Sequence, residues 1–386
     1  MQQGRREFVR ALWAGGAAMA AARTEEVGAA QREAGGQDVG GLLEPIRKKH
    51  DLPALAGAVY FKGRTVASGA TGVRKYGDPT PVTIDDQFHL GSNTKSMTAT
   101  LAAMLVEEHK LDWNAPLITY FPEIGATMAA GLRKVTLAHL ACHRSGITSE
   151  TLPKGMGGKE AHDLPGSYRE QRQVYAQRIL QEEPISELGT KYLYSNRNFA
   201  LLGIIAERVA NEAWEALITR RLFQPLGMKS AGFQAMGTPG KIDQPWQHRI
   251  VGDKRLPIGP GRYSDNPEII GPAGTVHCSV TDWLKYAATH TRGEAGGSRL
   301  LKAETFKYLH TPQFGGEYAF GWVATARPWG GGKVLMHNGS NTMNFAVMWL
   351  APLRDFAVVA ATNQAGGGAD GACDEVAAAM IGTFLK

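Results

Sequence analysis

Apolar and polar positions along the chain change rhythm more than once. Residues 42–50 read as an opening helix, and 54–61 and 64–70 as strands around a tight Lys62-Gly63 turn. From 96 to about 222 the pattern is helical, which predicts a mostly α region inserted into the chain. Residues 237–272, rich in Pro and Gly, read as a long loop across the mouth of a site. Strand patterns return at 319–324, 334–337, 344–350 and 356–362, and 370–384 closes the chain as an Ala-rich helix. Strands at both ends with helices between them predict an α/β (α+β) fold. One antiparallel sheet is assembled from the two ends, flanked by helices, beside an all-α region.

Composition narrows the class. The chain has 386 residues, 43% hydrophobic and 20% charged, enough to bury a substantial core. The net charge of +6 is mild and no basic stripe is interleaved with aromatics, which argues against nucleic-acid binding. Arg5-Arg6-Glu7-Phe8-Val9-Arg10 precedes a weakly apolar segment, 11–22, that ends in Ala20-Ala21-Ala22. That is similar to a twin-arginine export signal over residues 1–22, implying a periplasmic or secreted protein. The alternative is a frayed N-terminal helix. The segment is too short to span a bilayer, so no membrane span is expected in the mature chain. Residues 23–39, rich in Gly, Ala and Gln, are expected to be disordered, leaving 40–386 as the catalytic domain. Cys142, Cys278 and Cys373 make no disulfide framework; one pair is open to them, otherwise they are small buried hydrophobes. His139 and His143 stand at a metal-like i, i+4 spacing without the H-E-x-x-H glutamate. A structural role follows, His143 fixing a loop near the site, and no metal is expected.

The chemistry begins at Gly91-Ser92-Asn93-Thr94-Lys95, which opens an apolar helical stretch. Three residues apart on a helix, Ser92 and Lys95 lie on one face. A desolvated lysine can help to activate a serine hydroxyl, and a helix start offers N–H groups to a developing oxyanion. S-x-x-K alone is expected about once by chance in a chain this long. Two further pieces follow in order, Tyr194-Ser195-Asn196 before another helical run and His337-Asn338-Gly339 on a strand. Taken singly, Tyr194 reads as an ordinary aromatic with Asn196 as a helix N-cap, and His337 as a satisfied strand-end histidine. There is no G-x-S-x-G elbow and no phosphate-binding loop, so neither an α/β-hydrolase nor a nucleotide cofactor is expected.

Together the three pieces resemble the penicillin-recognising serine hydrolases. The nearest branch holds the class C β-lactamases, the D,D-peptidases of that type and their related esterases, which carry S-x-x-K, Y-x-N and K-T-G or H-x-G. Further segments are similar too: Leu111-Asp112-Trp113-Asn114-Ala115-Pro116, Leu140 to Gly146 with Arg144 where threonine is usual, and Gly271-Pro272-Ala273-Gly274. The resemblance implies an α/β part, about 40–91 and 273–386, and a mostly helical part, about 92–272, with the site in the cleft between. It also implies roles. Ser92 is the nucleophile. Lys95 eases a phenolate or accepts the serine proton. Tyr194 is the general base and later the acid, its pKa needing neighbouring cations to fall from about 10. Asn196 holds Lys95, and the backbone N–H groups of Ser92 and Ser340 form the oxyanion hole. Asn338 and Gly339 meet substrate, and His337 binds a substrate carboxylate or Tyr194, more weakly than the K-T-G lysine it replaces. The expected activity is that of an exported serine hydrolase on a small ester, peptide or β-lactam. Esterase or D-amino-acid-type peptidase chemistry is favoured, with weak or no β-lactamase activity and no cofactor. The alternatives are a class C-like β-lactamase and a non-catalytic penicillin- or cell-wall-binding protein.

Overall fold

The computed structural model describes residues 36–385, so the export-signal segment 1–22 lies outside the described residues. After strand β1 (Gln37–Asp38) and helix α1 (Gly40–Lys49), the chain forms β2 (Ala54–Phe61) and β3 (Arg64–Gly72). A 3-10 turn, Gly91–Asn93, leads into α2 (Thr94–Glu107). The helical region continues with α3 (Tyr168–Leu180) and α4 (Asn196–Ala210). A hairpin, β4 (Gln247–Val251) and β5 (Lys254–Ile258), precedes α5 (Val280–Gly293). The chain ends with β6 (Val323–Arg327), β7 (Gly332–Ser340), β8 (Phe345–Ala351), β9 (Phe356–Thr362) and α6 (Ala369–Phe384).

The main sheet has seven strands in the order β1-β3-β2-β9-β8-β7-β6. Both ends of the chain thus meet at the β2–β9 pairing, antiparallel from Phe356 opposite Phe61 to Ala361 opposite Ala56. Every residue of β9 is buried because the sheet is covered on both faces. Alternation sends Val358 and Ala360 to a core shared with α1 and α6, through Leu43, Val376 and Met380. Ala357, Val359 and Ala361 face the larger core under α2 and α5. Helix α2 is buried from Thr94 to Leu105, as an all-round apolar helix must be. Among the described residues no helix is long and apolar enough to cross a membrane. The three cysteines are buried and free.

Three expectations are corrected. Residues 37 and 38, placed in the disordered lead-in, pair in parallel with Ala67 and Ser68 of β3, since that edge of the sheet offers unpaired backbone groups. Residues 237–272 are not all loop. Gly252-Asp253 turns the β4–β5 hairpin, and Gln364–Ala365 adds a strand beside it. The strand expected at 319–324 starts only at Val323. Gly321 has φ +79°, and a Cβ there would lie 2.6 Å from the Ser96 backbone, so the chain turns where it crosses α2.

Candidate active site

Ser92 sits in the 3-10 turn ahead of α2, partly exposed while its neighbours are buried. The turn is pinned from several sides. Asn93 Nδ2 donates to Leu90 O (2.8 Å) and to Ala346 O of β8 (3.2 Å), and Thr94 Oγ1 accepts from Val276 N (3.2 Å). His89 Nδ1 accepts from Gly91 N (3.0 Å), while its Nε2 meets Asp265 Oδ2 at 2.8 Å.

Two glycines let the turn and β7 approach. A Cβ on Gly91, whose φ is +51°, would lie 2.3 Å from Ser340 N, and one on Gly339 would lie 2.4 Å from Ser92 N. Strand β6 pairs with β7 only as far as Met336, leaving the edge from His337 onward beside the turn. The Ser92 and Ser340 backbones are thus neighbours, as an oxyanion hole built from these two groups requires.

Lys95 is 0% exposed, yet its three partners are all neutral. Nζ lies 2.8 Å from Ser92 Oγ, 2.8 Å from Asn196 Oδ1 and 2.8 Å from Ala273 O. Burial without a carboxylate holds its pKa well below the ordinary lysine value. Two of the partners, an amide oxygen and a carbonyl, can only accept. In the neutral amine both N–H bonds are therefore spent on Asn196 and Ala273, and the lone pair is left to face the Ser92 hydroxyl. Asn196 is fixed for this task by its Nδ2, which donates to Thr151 Oγ1 (3.1 Å). It is not a cap; Ser195 holds that position, with its hydroxyl turned to Thr148 O (2.6 Å).

Tyr194 joins the group, with its ring centroid 4.8 Å from Lys95 Nζ and its hydroxyl bonded to Ser92. Its ionisation departs from the sequence expectation. Burial pushes the phenol well above its ordinary value; the Ser92 hydrogen bond opposes this and Tyr192 adds to it. Tyr194 is a held proton, and Lys95 is the group drawn toward its free-base form.

His337 is also corrected. Its ring is buried, Nδ1 lies 2.5 Å from Asn338 O and Nε2 lies 3.0 Å from Tyr318 Oη. Burial, above all, pushes its pKa down to about 3. A carbonyl only accepts, so the ring proton sits on Nδ1 and Tyr318 donates to Nε2. The neutral ring keeps no donor for a substrate carboxylate. Asn338 is displaced as well: alternation sends it, like its cross-strand partner Val347, to the face away from His337 and Gly339. Tyr318 was not found from sequence, because it stands in the turn before β6 with no motif around it. Trp246 and His248, near the loop, serve structure: Trp246 donates to Lys241 O and His248 bonds Asn363 O.

Comparison with known proteins places the chain in a family. The family model described as Beta-lactamase matches residues 39–381. Penicillin-binding protein 4 of Amycolatopsis lactamdurans is 26% identical over 327 residues, covering 80% of each chain. A beta-lactamase of Escherichia coli (strain K12) is 25% identical over 63% of this chain, and the match spans 58% of that protein. Among solved structures, the octameric penicillin-binding protein homologue from Pyrococcus abyssi superposes with a TM-score of 0.72 at 25% identity, over 89% of this chain and 76% of that one. A D-stereospecific amidohydrolase from Streptomyces sp. shares the fold, with a TM-score of 0.64 at 21% identity over 83% and 92% of the two chains. Matched from residue 39 to residue 381, the chain belongs to the beta-lactamase family, whose members are generally serine hydrolases.

Proposed function

We propose that the protein is an exported serine hydrolase that forms an acyl-enzyme on Ser92. Its substrates are small esters or D-amino-acid-type amides, with weak or no β-lactamase activity. The observation that carries the reading is the Lys95 amine, buried among neutral groups with Nζ 2.8 Å from Ser92 Oγ. Lys95 takes the Ser92 proton as the oxygen attacks the carbonyl carbon. The tetrahedral oxyanion rests on the Ser92 and Ser340 N–H groups. Tyr194 gives its proton to the leaving alcohol or amine and recovers one from the Lys95 ammonium. Water then attacks the acyl-enzyme by the reverse proton path, and no cofactor takes part. The preference for substrates without a carboxylate beside the scissile bond rests on His337, whose two nitrogens are already engaged. Export rests on the Arg5-Arg6 segment.

The test is hydrolysis of p-nitrophenyl butyrate by the mature protein beside Ser92→Ala, with nitrocefin in parallel. Ester turnover lost in the variant, with little nitrocefin turnover, is the expected result. Fast nitrocefin turnover would make the protein a β-lactamase, and no turnover of either would leave a narrow peptidase or a binding role.

A further inference from the structure

Position 143 carries a histidine that none of the steps above uses, in a conformation that L side chains seldom adopt. His143 is fully buried with φ +55°. Its backbone and side chain grip the two residues on either side of Tyr194. Leu193 N donates to His143 O (2.9 Å), and Ser195 N donates to His143 Nδ1 (3.2 Å). Asn198 Nδ2 approaches the same Nδ1 at 3.1 Å. The direction of that contact is fixed, since Asn198 Oδ1 already accepts from Ser145 Oγ (2.7 Å) and its amide nitrogen must donate. Two donors converge on Nδ1, so the ring proton is on Nε2.

Nε2 is buried and has no hydrogen-bond partner among the described residues. An unpaired buried N–H is costly, and the left-handed backbone adds strain. Both are borne at a site whose visible product is one acceptor placed against the Tyr194 segment. The ring also walls in the phenol: its centroid lies 4.4 Å from that of Tyr194, 4.8 Å from Tyr318, 5.3 Å from Phe199 and 5.8 Å from Tyr192. Burial keeps the imidazole neutral and the Nδ1 lone pair available.

We propose that His143 is a positioning residue for Tyr194, acting through its carbonyl and Nδ1 to hold the phenol over Ser92. This rests on the hydrolase reading above. Because the clasp acts on a group used in the transition state, its loss falls on kcat and leaves KM nearly unchanged. Misplacement of a catalytic group by about 1 Å can cost about 10²-fold.

The experiment compares His143→Phe, His143→Asn and His143→Gln on p-nitrophenyl butyrate, with Ser92→Ala as the blank and thermal melting as the fold control. Phe keeps an aromatic ring and removes the acceptor. Asn sets an oxygen close to the Nδ1 position and tolerates positive φ, whereas Gln reaches toward Nε2. The expected result is a kcat loss of about 10²-fold in Phe and Gln at near-constant KM, with Asn recovering to within about tenfold. If Phe fails to fold, the Asn–Gln pair still decides. Wild-type kcat in Phe or Gln, or Gln recovering better than Asn, would overturn the proposal and leave the hydrolase reading standing. A wild-type protein with no Ser92-dependent turnover would remove that reading, and this inference with it.

Discussion

Among the described residues, Arg172 and Lys95 are both wholly buried, and they are treated in opposite ways. Arg172 of α3 is 0% exposed and meets two carboxylates, Glu207 Oε1 at 2.6 Å and Glu215 Oε2 at 2.7 Å. Lys95 of α2 is equally buried and meets none. The two glutamates outweigh burial and raise the Arg172 pKa, whereas burial alone lowers that of Lys95. The arginine ties α3 to α4 and to the Glu215 segment, and a permanent charge suits that work. In the proposed mechanism the lysine changes its protonation state, and neutral acceptors leave it free to do so. On that proposal, a missing counter-ion is the mark that separates the reacting cation from the structural one.

Exchange of each cation for methionine is the strongest way to break the contrast. Lys95→Met is expected to cut kcat for ester hydrolysis by about 10²–10⁴-fold while the melting temperature holds or rises. Arg172→Met should do the reverse. It strands Glu207, itself 0% exposed, and is expected to cost about 3–5 kcal/mol in urea unfolding, since removing one partner uncovers the other's desolvation. What activity the folded fraction keeps should match wild type per molecule. A strongly destabilised Lys95→Met would refute the distinction.

The contrast can also be sharpened by giving Lys95 the counter-ion it lacks. Asn196→Asp places a carboxylate where Asn196 Oδ1 lies 2.8 Å from Nζ. An opposite charge this close raises a lysine pKa by about 1–3 units. If neutral Lys95 is the base, kcat/KM climbs with pH through its pKa, so the rising limb should move up by that interval. At a fixed pH below the limb the rate falls about tenfold for each unit. A limb that stays in place would assign it to another group.

Much of this site was legible in the sequence, and the reason is spacing. Ser92 and Lys95 are one helical turn apart, and Tyr194 and Asn196 flank a helix start, so local geometry already sets their directions. The same rule, applied to alternation along β7, would have turned Asn338 away from the site. The ionisation of Tyr194 was not legible, because burial and the Ser92 hydrogen bond depend on packing between distant segments. Ala273 supplies a backbone oxygen and His143 a backbone carbonyl, and neither leaves a side-chain signature. The β4–β5 hairpin did leave one, the Gly252-Asp253 pair between two short runs, but Pro257 inside the second run obscured it.

A last effect separates the two cations by pH alone. An ordinary lysine in the unfolded chain titrates near 10.4. Between the depressed folded value of Lys95 and that point, the unfolded chain holds a proton that the folded chain lacks. Folding stability therefore rises with pH across this window, by up to about 1.4 kcal/mol per unit. Lys95→Met removes the term, so its stability advantage over wild type should be largest toward acid and shrink to nothing near pH 10. Urea melts of both proteins from pH 6 to 10 measure it, and subtraction cancels every group they share. Arg172 keeps its proton in both states over this range and adds no slope of its own. Arg172→Met, however, leaves Glu207 buried without its cation and holds that carboxyl's pKa further up. The gap between wild type and Arg172→Met should therefore widen toward alkali, opposite in direction to that of Lys95→Met. Parallel curves for Lys95→Met would mean that the folded lysine is protonated like the unfolded one, and the Ser92 proton would need another acceptor.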